Sequence, residues 1–259
     1  MIENNHPIGL FDSGIGGTSI WRAIHELLPN ENTIYLADSK NAPYGQKSKE
    51  EIIKLSFKNV EILLEKKCKL IVVACNTATT NAIREMREKY TVPFIGIEPA
   101  IKPAALNSKT HTIGILATKG TLNSALFSQT IDKYQNVKII EQVGYGLVQL
   151  IENGATNSKE MYQLLKTYLQ PMIEANIDYL VLGCSHYPYL IPQIKKILPP
   201  SIQIIDSGEA VAKQTQNVLE NLVGLNHSKS PFYTFITNGS SRVLKDVLNT
   251  PYEVIETDF

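Results

Sequence analysis

Apolar residues along this chain fall in short unbroken runs, separated by longer stretches in which they recur at every third or fourth position. The runs lie at 8–11, 33–36, 70–74, 93–97, 112–116, 137–140, 179–182, 202–205 and 232–237. Each has the length of a strand. Ile20, Ile24, Leu27 and Leu28 keep helical spacing after the first run, and Ile53, Phe57, Val60 and Leu64 do so after the second. A strand that is apolar at every position is covered on both faces, which is the signature of a parallel sheet between helices. The pattern therefore predicts an α/β protein with mainly parallel sheets.

A weak internal repeat divides the chain. IGLFDSG at 8–14 resembles IGILATKG at 113–120, and KLIVVACNTATT at 69–80 resembles YLVLGCSHYPY at 179–189. Two similar α/β domains are the simplest reading, joined near Glu98 and Pro99, with the second ending near Asp206, Ser207 and Gly208. The predicted division is a discontinuous first domain of residues 1–98 plus 209–259 and a second domain of residues 99–208. All four motif loops leave the carboxyl ends of strands, where open α/β sheets bind ligands. If the domains face each other, one ligand in the cleft touches both Cys75 and Cys184.

Composition narrows the classes. With 259 residues and a formal net charge of zero, the chain is globular and carries no overall positive field to recruit phosphate backbones, so no nucleic-acid partner is expected. No apolar stretch reaches the length of a membrane span, and the N-terminus has no basic-then-apolar signal; a soluble cytoplasmic protein without membrane contact is predicted. Three cysteines without a CxxC pair argue against a disulfide framework or structural zinc, and five scattered histidines supply no metal ligand set.

A lone strand cysteine is ordinarily a small buried hydrophobe. Cys75 differs because Asn76, Thr77, Thr79 and Thr80 follow it in a hydroxyl-rich strand-to-helix turn. Cys184 has His186 two residues on, and Pro188 is expected to keep the segment extended, so that cysteine and histidine share a face. Cys68, between two lysines at a strand entry, reads as structural. Asp12 to Thr18 form a glycine-rich loop opening a helix, a shape that binds anions through backbone N–H groups. As a dinucleotide fingerprint it is imperfect: Ser19 holds the third glycine position, and Asp12 would oppose the pyrophosphate. Residues 42–45 read as a turn, and Glu152 as the solvated end of a helix closing at Gly154.

Taking a proton from a carbon next to a carboxylate and returning it on the opposite face inverts that centre. Two acid/base groups on opposite sides of the carbon suffice, one a thiolate while the other is a thiol. Neighbours must help form the anion, since a free thiol ionises near pH 8.5; Asp12 and His186 are the evident helpers. Three readings stay open on the residues alone: a cofactor-free racemase, a nicotinamide-dependent oxidoreductase resting on the glycine loop and Asp38, and a non-catalytic amino-acid-binding protein.

Seven motifs carry a resemblance that runs nearly end to end: IGLFDSGIGG at 8–17, APYG at 42–45, VVACNTAT at 72–79, GIEPA at 96–100, LATKGT at 116–121, LGCSHYP at 182–188 and IDSG at 205–208. By these the chain resembles the cofactor-independent glutamate racemases of the aspartate/glutamate racemase superfamily. The resemblance implies interconversion of L- and D-glutamate for bacterial peptidoglycan, no cofactor, and two α/β domains related by a pseudo-twofold axis with the site between them. It further implies that Cys75 takes the α-proton from D-glutamate with help from Asp12, and that Cys184 takes it from L-glutamate with help from Glu152 and His186. Substrate binding would fall to Asp12, Ser13, Tyr44, Gly45, Asn76, Thr77, Thr118, Thr121, Ser185 and His186, a set without arginine. Ser185 stands where the family usually has threonine, and 142–147 departs from the Cys-Pro pair of many relatives. Aspartate racemase is the near alternative. Exposed helical faces allow a homodimer without selecting one.

Overall fold

The structure, a computed structural model, describes residues 4–249 and 252–259. Among the described residues, ten strands form two sheets in which every pairing is parallel. They are β1 (Ile8–Asp12), β2 (Thr33–Ala37), β3 (Leu70–Val73), β4 (Phe94–Gly96), β5 (Thr112–Ala117), β6 (Lys138–Val143), β7 (Tyr179–Gly183), β8 (Gln203–Ile205), β9 (Tyr233–Thr237) and β10 (Glu253–Glu256). The first sheet runs β10-β9-β2-β1-β3-β4 and the second β6-β5-β7-β8. Four strands of the first thus repeat the order of the second: the opening strand is central, the next pairs on one side, and the third and fourth extend the other. The internal repeat in the sequence is a repeat of topology, and it sets the two cysteine loops at equivalent strand ends.

Strands β1 and β3 are buried at every residue, which explains their unbroken apolar runs. The strand β10 has no such run, because it lies at the sheet edge and is largely exposed; the apolar pattern misses it. The helix Lys49–Glu65 starts at Ser48, which shares a capping box with Glu51. Its inward line is Ile52, Ser56, Asn59, Val60 and Leu63; of the expected set Val60 lies on that line, while Ile53, Phe57 and Leu64 flank it, half-buried against the same cluster. Two polar residues occupy that line, and Asn59 uses its amide to bond the Tyr44 hydroxyl at 3.0 Å, so apolar spacing alone points one residue off. On the helix Thr18–Leu27, Trp21 is buried while the expected Leu27 is 40% exposed.

One buried apolar cluster includes Leu10, Trp21 and Phe235 around the first sheet and Leu147, Leu165 and Leu182 around the second. The helix Gly208–Val218 packs on Thr18–Leu27, and the Ser207 hydroxyl donates to the Glu98 carbonyl where the two connecting segments meet. On these contacts we propose the boundaries 1–98 plus 209–259 and 99–208. Among the described residues, no helix is long and apolar enough to cross a membrane.

Candidate active site

Cys75 ends the β3 run and is the N-cap of the helix Asn76–Lys89, with its sulfur accepting the Ala78 N–H at 3.4 Å. A helix N-terminus favours negative charge, here on a thiolate. Burial nevertheless pushes the thiol up, and the nearby charge of Asp12 pushes it further. The Ser13 hydroxyl lies 3.8 Å from the sulfur. Asp12 is fully buried, accepting the Gly14 N–H at 3.0 Å and, from the other domain, the Ser185 hydroxyl at 2.9 Å. Burial raises its pKa, opposed by the charge of His186, so the carboxyl is closer to taking a proton than an exposed aspartate.

Around Cys184 the expected extended segment is absent. The Tyr187 N–H donates to the Cys184 carbonyl at 3.0 Å, His186 has helical angles, and Tyr187–Leu190 forms a 3₁₀ turn. Pro188 sits in the first turn of that helix, where a missing N–H costs nothing; proline starts the helix here instead of holding the chain straight. The contact survives by another route. His186 Nδ1 lies 3.9 Å from Cys184 Sγ, and Nε2 lies 2.5 Å from Glu152 Oε1. Burial works against the imidazolium, but Cys184, Glu152 and Asp12 outweigh it and hold the His186 pKa well above its ordinary value. Carboxylate, imidazole and thiol thus stand in line.

Glu152 corrects a second expectation. Its helix, Leu147–Glu152, does close at Gly154, which has a left-handed φ of 72°. The side chain is not solvated: at 14% exposure it crosses to the first domain, accepting the Ile15 N–H at 2.7 Å and the Ser39 hydroxyl at 3.1 Å. The glycine loop does bind an anion through a backbone N–H, and the anion is this carboxylate. Its glycines answer to the same approach. A Cβ on Gly14 would lie 1.9 Å from Glu152 Oε1, and one on Gly16 would lie 2.2 Å from His186 Nδ1.

Both thiols line one cavity between the domains, with Ser13, Tyr44, Gly45, Asn76, Thr77, Thr118, Ser185 and His186 among the walls. Its open space is ≈ 10 Å³, on the order of one water molecule. Asp12, Glu152 and Thr121 stand behind this lining. Thr121 reaches Thr118 at 3.0 Å and Thr77 at 3.4 Å, joining hydroxyls from both domains. The Tyr44 hydroxyl is already engaged, 2.5 Å from Asp38 and bonded to Asn59, which leaves its backbone and ring for the cavity. Asp38, far from reading a ribose, is buried and also takes the Asn41 and Asn238 amides. Asn76 is 2% exposed, and among the described residues neither its amide nitrogen nor its oxygen has a hydrogen-bond partner, an arrangement that costs free energy unless a ligand completes it. Cys68 lies apart from the site, packed over Gly9, its thiol pushed up to about 12 by burial.

Pro43 and Val148 also line the cavity, and Ser39 holds Glu152; none stands out as a site residue in the sequence. Ser39 bonds a residue more than a hundred positions away, so only its place just after β2 hinted at it. Among the described residues, no group of three or more His, Cys, Asp or Glu is arranged to hold a metal.

Residues 8–215 match the family model described as Asp/Glu/Hydantoin racemase. The glutamate racemase of Ralstonia pickettii is 48% identical over 214 residues, covering 82% of this chain and 76% of that protein. The solved glutamate racemase isoform of Bacillus anthracis superposes with a TM-score of 0.90 at 31% identity, covering 99% of each chain. The Francisella tularensis glutamate racemase, solved in complex with D-glutamate, gives 0.85 at 32% identity, covering 99% of this chain and 98% of that one. Matched in sequence over most of its length and in fold over nearly all of it, the chain belongs to the Asp/Glu/hydantoin racemase family.

Proposed function

We propose that this racemase interconverts L- and D-glutamate by passing the α-proton between Cys75 and Cys184 on opposite sides of the substrate carbon. The observation that carries the reading is the pair of thiols, one from each domain, lining a single narrow cavity with unlike partners. Relatives named glutamate racemase, one of them solved with D-glutamate, support the substrate.

On the first side, the family resemblance assigns to Cys75 the proton of D-glutamate. The Ala78 N–H and the helix N-terminus favour its thiolate, and Asp12, with its raised pKa, is the group to relieve the thiol of its proton. On the second side, Cys184 takes the proton of L-glutamate. His186 stands beside that sulfur as its helper, and Glu152 keeps the imidazole charged and aimed. In each direction one cysteine acts as base while the other, as thiol, returns a proton to the opposite face.

Hydroxyls of Ser13, Thr77, Thr118 and Ser185, the Asn76 amide, and the Tyr44–Gly45 backbone are the groups we assign to the substrate carboxylates, with Thr121 fixing Thr118 and Thr77. Donors aimed at a carboxylate stabilise charge that develops on it as the α-proton leaves. No step requires a cofactor. We assign the product D-glutamate to bacterial peptidoglycan, and the protein to the cytoplasm as a monomer or homodimer without nucleic-acid or membrane partners.

Circular dichroism of D-glutamate incubated with metal-free, pyridoxal-free protein tests the activity. The signal should decay to zero, and a stable signal refutes the reading. Aspartate in the same assay should turn over more slowly; faster turnover makes the chain an aspartate racemase instead.

A further inference from the structure

Glu152 belongs to the second domain, yet two of its three polar partners belong to the first. Its Oε1 is shared by His186 Nε2 and the Ile15 N–H, and its Oε2 takes the Ser39 hydroxyl. Ser39 is itself fixed in place: it opens the 3₁₀ turn Ser39–Asn41, where Asn238 accepts the Lys40 N–H at 3.0 Å and donates to Asp38 at 2.5 Å. Gly14 leaves the space that the carboxylate fills, since any Cβ there would lie within 2.8 Å of all three carboxyl atoms. The seat for Glu152 is therefore built on the first domain, while the imidazole it supports is carried by the second.

The cavity between the domains holds ≈ 10 Å³ of open space, far less than an amino dicarboxylate needs. Parting the two domains at this cleft would admit the substrate and, because Glu152 bridges them, would draw it off the Ile15 amide and Ser39. We propose that Ser39 and the Ile15 amide are positioning groups for the second base, seating Glu152 against His186 only in the closed protein, so that the Cys184 side is assembled by closure and dismantled by opening. The consequence for catalysis rests on the racemase reading; the seat itself does not.

The test is a double-variant cycle of wild type, Gly14→Ala, Glu152→Ala and the pair, read by racemisation kcat and by hydrogen exchange of the Ile15 amide. Gly14→Ala expels the carboxylate from its seat, and loss of its charge-assisted hydrogen bonds should lower kcat roughly tenfold to a hundredfold. Adding it to Glu152→Ala should cost less than about twofold, because no carboxylate is left to expel. Ile15 exchange should quicken in each single variant and no further in the double. Equal losses from Gly14→Ala in both backgrounds, or unchanged Ile15 exchange in Glu152→Ala, overturn the proposal. If Gly14→Ala does not fold, Ser39→Ala takes its place: it should lower kcat and quicken Ile15 exchange when Glu152 is present and change neither when Glu152 is alanine. Equal effects in both backgrounds overturn the proposal here too. Exchange needs no turnover, so a protein that seats Glu152 in this way but leaves glutamate untouched refutes the function and spares the seat.

Discussion

Gly16→Ala isolates how much activity depends on the placement of His186. Gly16 does not have a positive φ, so alanine is compatible with its backbone and, by narrowing the unfolded ensemble, would by itself stabilise the fold by about 0.4–1 kcal/mol. The new Cβ, however, would lie 2.2, 2.5 and 2.6 Å from Nδ1, Cγ and Cε1 of the His186 ring. Ordinary contact begins at 3.4 Å, so the ring must retreat by about 1.2 Å. It cannot swing away freely, being 1% exposed and tied to Glu152 at 2.5 Å. A misplacement of about 1 Å in a catalytic group costs on the order of a hundredfold in rate, or roughly 2.7 kcal/mol of barrier. The predicted outcome is therefore a folded protein with kcat/KM for D-glutamate down about a hundredfold, measured by circular dichroism. Because the enantiomers have equal free energies, the reverse direction must fall by the same factor. Wild-type kcat/KM in a folded Gly16→Ala protein would show that His186 need not stand where it does.

Three further outcomes are expected. Asn76→Ala removes a buried amide with no partner among the described residues; melting temperature should hold or rise while KM for glutamate rises about tenfold or more, and an unchanged KM counts against its substrate role. His186 binds its proton more tightly in the folded protein than its ordinary 6.5, so the stability it contributes is complete below that pH and is lost as pH rises through the raised folded value. Thermal melts from acid to alkaline pH should therefore decline more steeply for wild type than for Glu152→Gln, and parallel curves contradict the pairing. Away from the site, Lys69 is fully buried and 2.8 Å from Glu31. Lys69→Met should cost about 3–5 kcal/mol in urea unfolding by leaving that carboxylate without its cation and the Asn4 and Gly224 carbonyls without their donor, and adding Glu31→Gln should recover the part due to the carboxylate; no recovery contradicts the buried ion pair.

The parts of this fold that were legible in the sequence are those where burial is symmetrical. Strands covered on both faces, such as β1, β3, β5 and most of β7, write themselves as unbroken apolar runs, and their carboxyl ends locate Asp12, Cys75, Thr118 and Cys184 at once. Burial shared with polar residues is less readable, as in the helix Lys49–Glu65, where Ser56 and Asn59 face inward. An exposed edge strand such as β10 leaves no trace of this kind. Glu152 shows a different limit. Its identity and the helix end it sits on were visible, but its surroundings depend on Ile15 and Ser39, which meet it only after the two domains pack. For the same reason Gly14 and Gly16 read in the sequence as glycines of an anion-binding loop, although what they admit is the side chains of Glu152 and His186. Local rules for proline likewise mislead at Pro188, because its effect depends on whether a helix starts there.

In the proposed mechanism, the proton leaving one face of the substrate carbon and the proton arriving at the other pass through different thiols. Initial-rate racemisation of protiated D-glutamate in deuterated water tests it directly, with product and residual substrate separated and their α-positions read by mass spectrometry. Two thiols acting as separate bases predict L-glutamate carrying solvent deuterium at the α-carbon from the first turnovers, while residual D-glutamate stays essentially protiated. L-glutamate that retains the original α-proton would mean that one group carries it across both faces, which contradicts a two-cysteine mechanism.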